Sequence, residues 1–133
     1  MAHKPRKRFG QNFLVDEQVI NQIVSTVSPK KNDTVIEIGP GKGALTYPLI
    51  NHLEKIHVIE IDRDLISLLQ KKNNKKISIH ESDALVFNFD QFKQNIRIVG
   101  NLPYNISSPL LFRLLNYRDN IIDMTFMLQK EVV

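Results

Sequence analysis

Residues 34–43 read Thr-Val-Ile-Glu-Ile-Gly-Pro-Gly-Lys-Gly, and their order decides the fold. The first five are β-branched or apolar apart from Glu37, which suits a buried strand. The glycines that follow permit a tight turn and a close backbone approach to a ligand. Residues 44–53 then read as a helix. Strand, glycine turn and helix in that order open an α/β sheet whose ligands sit beyond the carboxyl ends of the strands. Glu60 stands 21 residues after Gly39 and ends the next β-rich run, 56–61. A carboxylate there can accept from both hydroxyls of a ribose.

The rest of the chain repeats the alternation. Val19, Ile20, Ile23, Val24 and Val27 fall on one face of a helix over 16–27, with Asp16 as its cap and Pro29 as its stop. A helix over 63–71 turns Leu65, Leu68 and Leu69 inward, and a third strand covers 77–80. Residues 90–95 make a short helix or loop, 96–99 a fourth strand, and 121–128 a fifth. Between the last two, a helix over 107–117 starts at Ser107-Ser108-Pro109, with proline in the first turn, where its missing N–H costs nothing. Strands alternating with helices specify a mostly parallel, Rossmann-like sheet with right-handed crossovers and helices on both faces.

Composition narrows the classes. The chain has 133 residues and no cysteine, which excludes disulfides and thiolate metal sites. His3, His52, His57 and His80 show no ligand spacing, so they read as solvated or strand-packed imidazoles and no metal is expected. No apolar run approaches the roughly 20 residues of a membrane span, and the basic start lacks the apolar core of a secretory signal. A cytoplasmic protein follows. Lys4, Arg6, Lys7 and Arg8 carry the whole net charge of +4, because from Phe9 onward 14 basic residues balance 14 acidic ones. Such an arm can track phosphates or merely solubilise. Phe9 and Phe13, interleaved with Gln11 and Asn12, favour an arm over 1–15 that docks near the ligand site. The domain proper runs over 16–133.

Three ligands compete for the glycine loop. The G-x-x-x-x-G-K-S/T pattern of nucleotide hydrolysis is absent. Gly39, Gly41 and Ala44 meet the looser form of a nicotinamide fingerprint. Glu37, Gly39, Gly41 and Gly43 meet in full the E-x-G-x-G-x-G loop that holds S-adenosyl-L-methionine. Asp83 ends the third strand, where its carboxylate can accept from an adenine amine, although Ser82-Asp83 also reads as a turn cap.

Asn101-Leu102-Pro103-Tyr104 ends the fourth strand. An asparagine oxygen and a carbonyl at or before a proline can accept from one amino group while a tyrosine face stacks on a flat ring. The set suits a planar amine such as that of adenine; it also reads as an ordinary turn.

Arg6 to Leu14 (RKRFGQNFL), the glycine loop, Glu60-Ile61-Asp62-Arg63-Asp64, Ser82-Asp83-Ala84 and Asn101 to Ser107 (NLPYNIS) together resemble the ribosomal RNA adenine dimethyltransferase family. Within it they are most similar to the bacterial branch that dimethylates two adjacent adenosines near the 3′ end of 16S rRNA. The resemblance spans the whole chain in motif order. It implies S-adenosyl-L-methionine as cofactor, no metal, and 16S rRNA in the immature small subunit as partner. By that resemblance Asn12 and Leu14 contact the methionine part of the cofactor and Gly39 and Gly41 lie under it. Glu60 holds the ribose and Asp83 the adenine amine. Asn101, with Pro103, meets cofactor and target, Tyr104 stacks on the target base, and Phe126 walls the base slot.

Family members continue through two more strands and a helical domain that grips rRNA. The chain therefore reads as an N-terminal fragment truncated after its fifth strand, with an exposed sheet edge open to pairing with another chain. Two rival functions remain: a large-subunit rRNA adenine methyltransferase conferring antibiotic resistance, and a non-catalytic RNA-binding assembly factor. A nicotinamide dehydrogenase is more distant.

Overall fold

β1 (Thr34–Ile38), β2 (Ile56–Glu60), β3 (Ile77–Glu81), β4 (Ile96–Leu102) and β5 (Ile121–Leu128) form one sheet in the order β3-β2-β1-β4-β5, and every neighbouring pair is parallel. The computed structural model describes residues 16–93 and 95–128. The helices are α1 (Glu17–Val27), α2 (Thr46–Ile50), α3 (Arg63–Lys71) and α4 (Tyr104–Leu114). The chain steps outward from β1 to β3, then returns to place β4 on the other side of β1. The point where the order reverses lies between β1 and β4, and a crevice opens there beyond the strand ends.

Successive strand residues face opposite sides of the sheet, and both sides of the three inner strands, β2, β1 and β4, are covered. On one face Val35, Val58 and Val99 meet Val27 of α1, Leu49 of α2 and Leu69 of α3. On the other, Ile36, Ile59 and Ile98 meet Phe87, Phe89 and the α4 residues Leu110 and Leu114. Burial on both faces is why these strands read as continuous apolar runs and not as alternating ones. His57 and His80 belong to the second face. His57 Nδ1 and His80 Nε2 lie 3.1 Å apart, with the ring of Phe92 packed on both. They are strand-packed imidazoles, and burial holds His57 down at about 4.

Several boundaries differ from the sequence expectation. α1 is capped as expected: Asp16 Oδ1 accepts from the N–H groups of Gln18 and Val19. α2 is shorter than 44–53: Leu45 is its N-terminal cap residue and Asn51 its C-terminal one. In α3 Ile66 is buried and Leu68 is exposed, so the inward face is Leu65, Ile66 and Leu69. β4 runs to Leu102, not Val99, since Gly100, Asn101 and Leu102 pair with Phe126, Met127 and Leu128 of β5. α4 starts at Tyr104, three residues before the expected cap. Pro103, with φ −59°, leads directly into it, Ser107 Oγ donates to Tyr104 O at 2.9 Å, and Pro109 lies inside the helix. Residues 90–95 contribute the end of a single 3-10 turn, Phe89–Phe92.

One cation ties the amino ends of the strands together. Arg97 on β4 donates through Nε and Nη2 to the Asp123 carboxylate of β5, each at 2.9 Å. Its Nη1 donates to Asp33 Oδ2 at 2.9 Å, and Nη2 also donates to the carbonyl of Val27 at the end of α1. The planar guanidinium forks to partners that a lysine could not meet together. Arg97→Met keeps the packing of the stem but strands two carboxylates and a carbonyl. It is expected to destabilise the fold by about 2 kcal/mol, read as a lowered denaturation midpoint, with Arg97→Lys recovering only part of the loss.

Candidate active site

The crevice is built from the tips of β1, β2 and β4. Gly39 turns the chain out of β1 with φ +70°, and the space where its side chain would stand holds no atom within 4 Å. That is a backbone cradle open to a ligand. Its N–H donates to the carbonyl of Ile59 at 2.9 Å, so the loop is tied to β2 as it leaves the sheet.

Glu60 at the tip of β2 is buried. Its Oε1 accepts from Gly41 N–H at 3.3 Å, and its Oε2 from Ile61 N–H at 2.9 Å and Asp62 N–H at 3.0 Å. Burial raises its pKa, and the three backbone donors partly offset that rise. A carboxylate offers about four lone-pair sites; three are taken, so this scaffold fixes the group and leaves room on Oε1 for one further donor. Asp62, also buried, caps α3 through Asp64 N–H at 2.8 Å and Leu65 N–H at 3.4 Å.

Across the sheet, β4 brings Asn101 to the same opening. Gly100 stands opposite Ile38 in register, and a side chain on it would meet the Ile38 carbonyl oxygen at 2.8 Å. A side chain at Gly100 would force this carbonyl to shift, and the glycine avoids that. Asn101 therefore lines one cavity of about 430 Å³ together with Gly39, Gly41, Gly43, Glu37, Tyr47 and, from α1, Glu17. Four of the residues singled out by sequence are accounted for in this way: Gly39, Gly41 and Asn101 on the cavity wall, Glu60 hydrogen-bonded to its loop.

The others lie around it. Pro103 caps α4 and its carbonyl accepts from Ile106 N–H at 3.2 Å. Tyr104, at the start of α4, is 51% exposed. Asp83 Oδ1 accepts from Leu85 N–H at 2.9 Å, the turn cap that was one of its two readings. Phe126 is partly buried and packs on the α4 side of the core. Asn12 and Leu14, with the arm over 1–15, lie outside the described residues. Among the described residues no group of three or more histidine, cysteine or acidic side chains could hold a metal ion, and no helix is long and apolar enough to cross a membrane.

Residues 2–133 match the model of the protein family described as ribosomal RNA adenine dimethylase. The chain belongs to this family. It is 58% identical over 133 residues to the ribosomal RNA small subunit methyltransferase A of Dechloromonas aromatica (strain RCB), covering 99% of this chain and 52% of that protein. Among solved structures it resembles a dimethyladenosine transferase from Plasmodium falciparum, with TM-score 0.78 and 31% identity over 90% of this chain and 44% of that one. It also resembles the 23S rRNA methyltransferase ErmE, with TM-score 0.75 and 30% identity over 86% of this chain and 48% of that one. The chain thus spans about half the length of the relatives it matches. The Rossmann-like methyltransferase fold read from the sequence is the fold observed.

Sequence reasoning assigned no structural role to Glu37 beyond its place in the loop motif. It is fully buried, accepts a short hydrogen bond from Thr46 Oγ1, and burial, opposed by Thr46 and reinforced by Glu60, pushes its pKa to about 7. A charged residue inside an otherwise apolar strand was the available signal. The folded pKa lies above the unfolded value of 4.5, so the folded state holds the proton more tightly. Stability from this group is complete below about pH 4.5 and is lost as pH rises through about 7. Glu37→Gln removes the ionisation and is expected to leave stability unchanged at pH 4. At pH 8 it should raise stability over wild type by about 1–3 kcal/mol, measured as denaturant midpoints at the two pH values.

Proposed function

We propose that the protein carrying this chain transfers methyl groups from S-adenosyl-L-methionine to the exocyclic amines of two adjacent adenosines near the 3′ end of 16S rRNA, acting in the cytoplasm on the immature small subunit. The observation that carries this reading is the meeting of Asn101 with the glycine loop on one cavity wall. That meeting puts an amine acceptor beside a cofactor cradle. The cofactor fits what is present: an open space above Gly39, a scaffolded carboxylate at Glu60, and both acidic and basic groups around the cavity. When bound, it supplies a methyl group activated by a sulfonium.

The chain's own residues then have separable tasks. Glu60 accepts from the ribose and Asp83 from the cofactor adenine; Asn12 and Leu14 hold the methionine end. Asn101 and one carbonyl, at or before Pro103, accept the two hydrogens of the target amine, favouring a nitrogen whose lone pair is free of the ring. Acceptors of this kind accelerate only as far as they hold the transition state better than the ground state. Positioning the two reactants accounts for much of the rest, where good orientation is worth roughly 7–11 kcal/mol. A paired adenine cannot reach the site, so the target is unpaired or flipped at a cost of about a few kcal/mol. Stacking on Tyr104 offsets part of that, at roughly 1–3 kcal/mol per base. The basic arm follows the rRNA backbone.

The large-subunit alternative keeps one specific support, the likeness to ErmE. The RKRFG lead-in, Leu102 and the 58% identity to a small-subunit relative favour the first reading. In the whole protein, Asn101→Ala is expected to lower methyl transfer to small subunits by roughly 10²–10³-fold, with cofactor affinity little changed in calorimetry. Wild-type turnover in that variant would remove Asn101 from the mechanism. Transfer to large subunits but not small ones would install the alternative.

A further inference from the structure

One side chain on the cavity wall has a group that no internal contact explains. The hydroxyl oxygen of Tyr47 is buried and has no hydrogen-bond partner among the described residues. A buried hydroxyl left unmet costs about 1–3 kcal/mol, so its retention calls for a partner that these residues do not supply. Burial also raises its pKa, which keeps it a protonated donor at neutral pH. The ring is fixed on two sides. It lies over Gly43, where any added side chain would collide with it, and Lys72 Nζ stands 4.5 Å from its centroid. A phenylalanine would pack equally well, so packing alone does not call for the oxygen.

The cavity around Tyr47 carries charge of both signs. Lys42 and the Tyr47 hydroxyl offer donors, and Glu17 offers a carboxylate. That combination matches a zwitterion: an α-carboxylate facing the donors and an α-ammonium facing the acid. We propose that Tyr47 is a positioning residue for the cofactor, donating its hydroxyl hydrogen to the α-carboxylate of the amino-acid end. This rests on the function proposed above and extends it to a residue outside the glycine motif. Glu60 and Tyr47 then hold opposite ends of one ligand, the ribose and the amino-acid tail, with the loop glycines between them.

The test compares two ligands on two proteins, using the whole protein and calorimetry. The ligands are S-adenosyl-L-methionine and its decarboxylated form, which keeps the sulfonium and the amine but lacks the carboxylate. Tyr47→Phe is expected to weaken S-adenosyl-L-methionine about tenfold, the value of roughly 1.4 kcal/mol, and to leave the decarboxylated ligand within about twofold. Its thermal midpoint should be unchanged or raised, since an unmet hydroxyl has been removed. Equal loss on both ligands would mean a structural effect, and no loss on either would mean an idle hydroxyl; both results overturn the assignment. A wild-type protein that binds neither ligand would overturn the proposed function itself, which separates the two failures.

Discussion

Gly100 lies against the carbonyl of Ile38, and the site depends on that contact. β1 and β4 are far apart in sequence but adjacent in the sheet, and at this register no side chain keeps them apart. The next residue after each member of the pair lines the cavity: Gly39 opens the loop, and Asn101 is the acceptor proposed for the target amine. The reversal of strand order supplies the crevice. A side chain at Gly100 would press on the Ile38 carbonyl just where the crevice opens.

The strand tips hold more carboxylate than a stable fold would choose. Glu37, Glu60 and Asp62 are all buried at one end of the sheet. Burial raises the Glu37 pKa to about 7, Glu60 is fixed by three backbone N–H groups, and Asp62 is satisfied as a helix cap. At the other end Arg97 gathers Asp33, Asp123 and the end of α1. One end of the sheet is thus braced for stability. The other keeps buried acids whose desolvation is offset locally, as sites built for ligand recognition commonly do.

Much of this was legible in the sequence because strand and helix chemistry agree locally. The five strands, the Asp16 cap and the glycine loop all follow from runs of β-branched residues and from turn residues at fixed offsets. The start of α4 was not legible. Ser107-Ser108-Pro109 imitates a helix entry, but pairing to β5 prolongs β4 to Leu102, and Pro103 then launches the helix at once. Leu68 and Ile66 exchange places because a nine-residue helix has too few turns for the apolar spacing to fix its face. Gly100, Tyr47 and the partner of Glu37 were invisible for a different reason. Each matters through a neighbour distant in sequence, and only the fold reveals which neighbour that is.

The central claim is that β4 must come within side-chain-free distance of β1 for Asn101 to share a cavity with the glycine loop. It is tested most directly by Gly100→Ala, compared with wild type in the whole protein by calorimetry with S-adenosyl-L-methionine and by circular dichroism. The α/β spectrum should persist and cofactor affinity should fall at least about tenfold. A folded Gly100→Ala protein that binds the cofactor as tightly as wild type would contradict it.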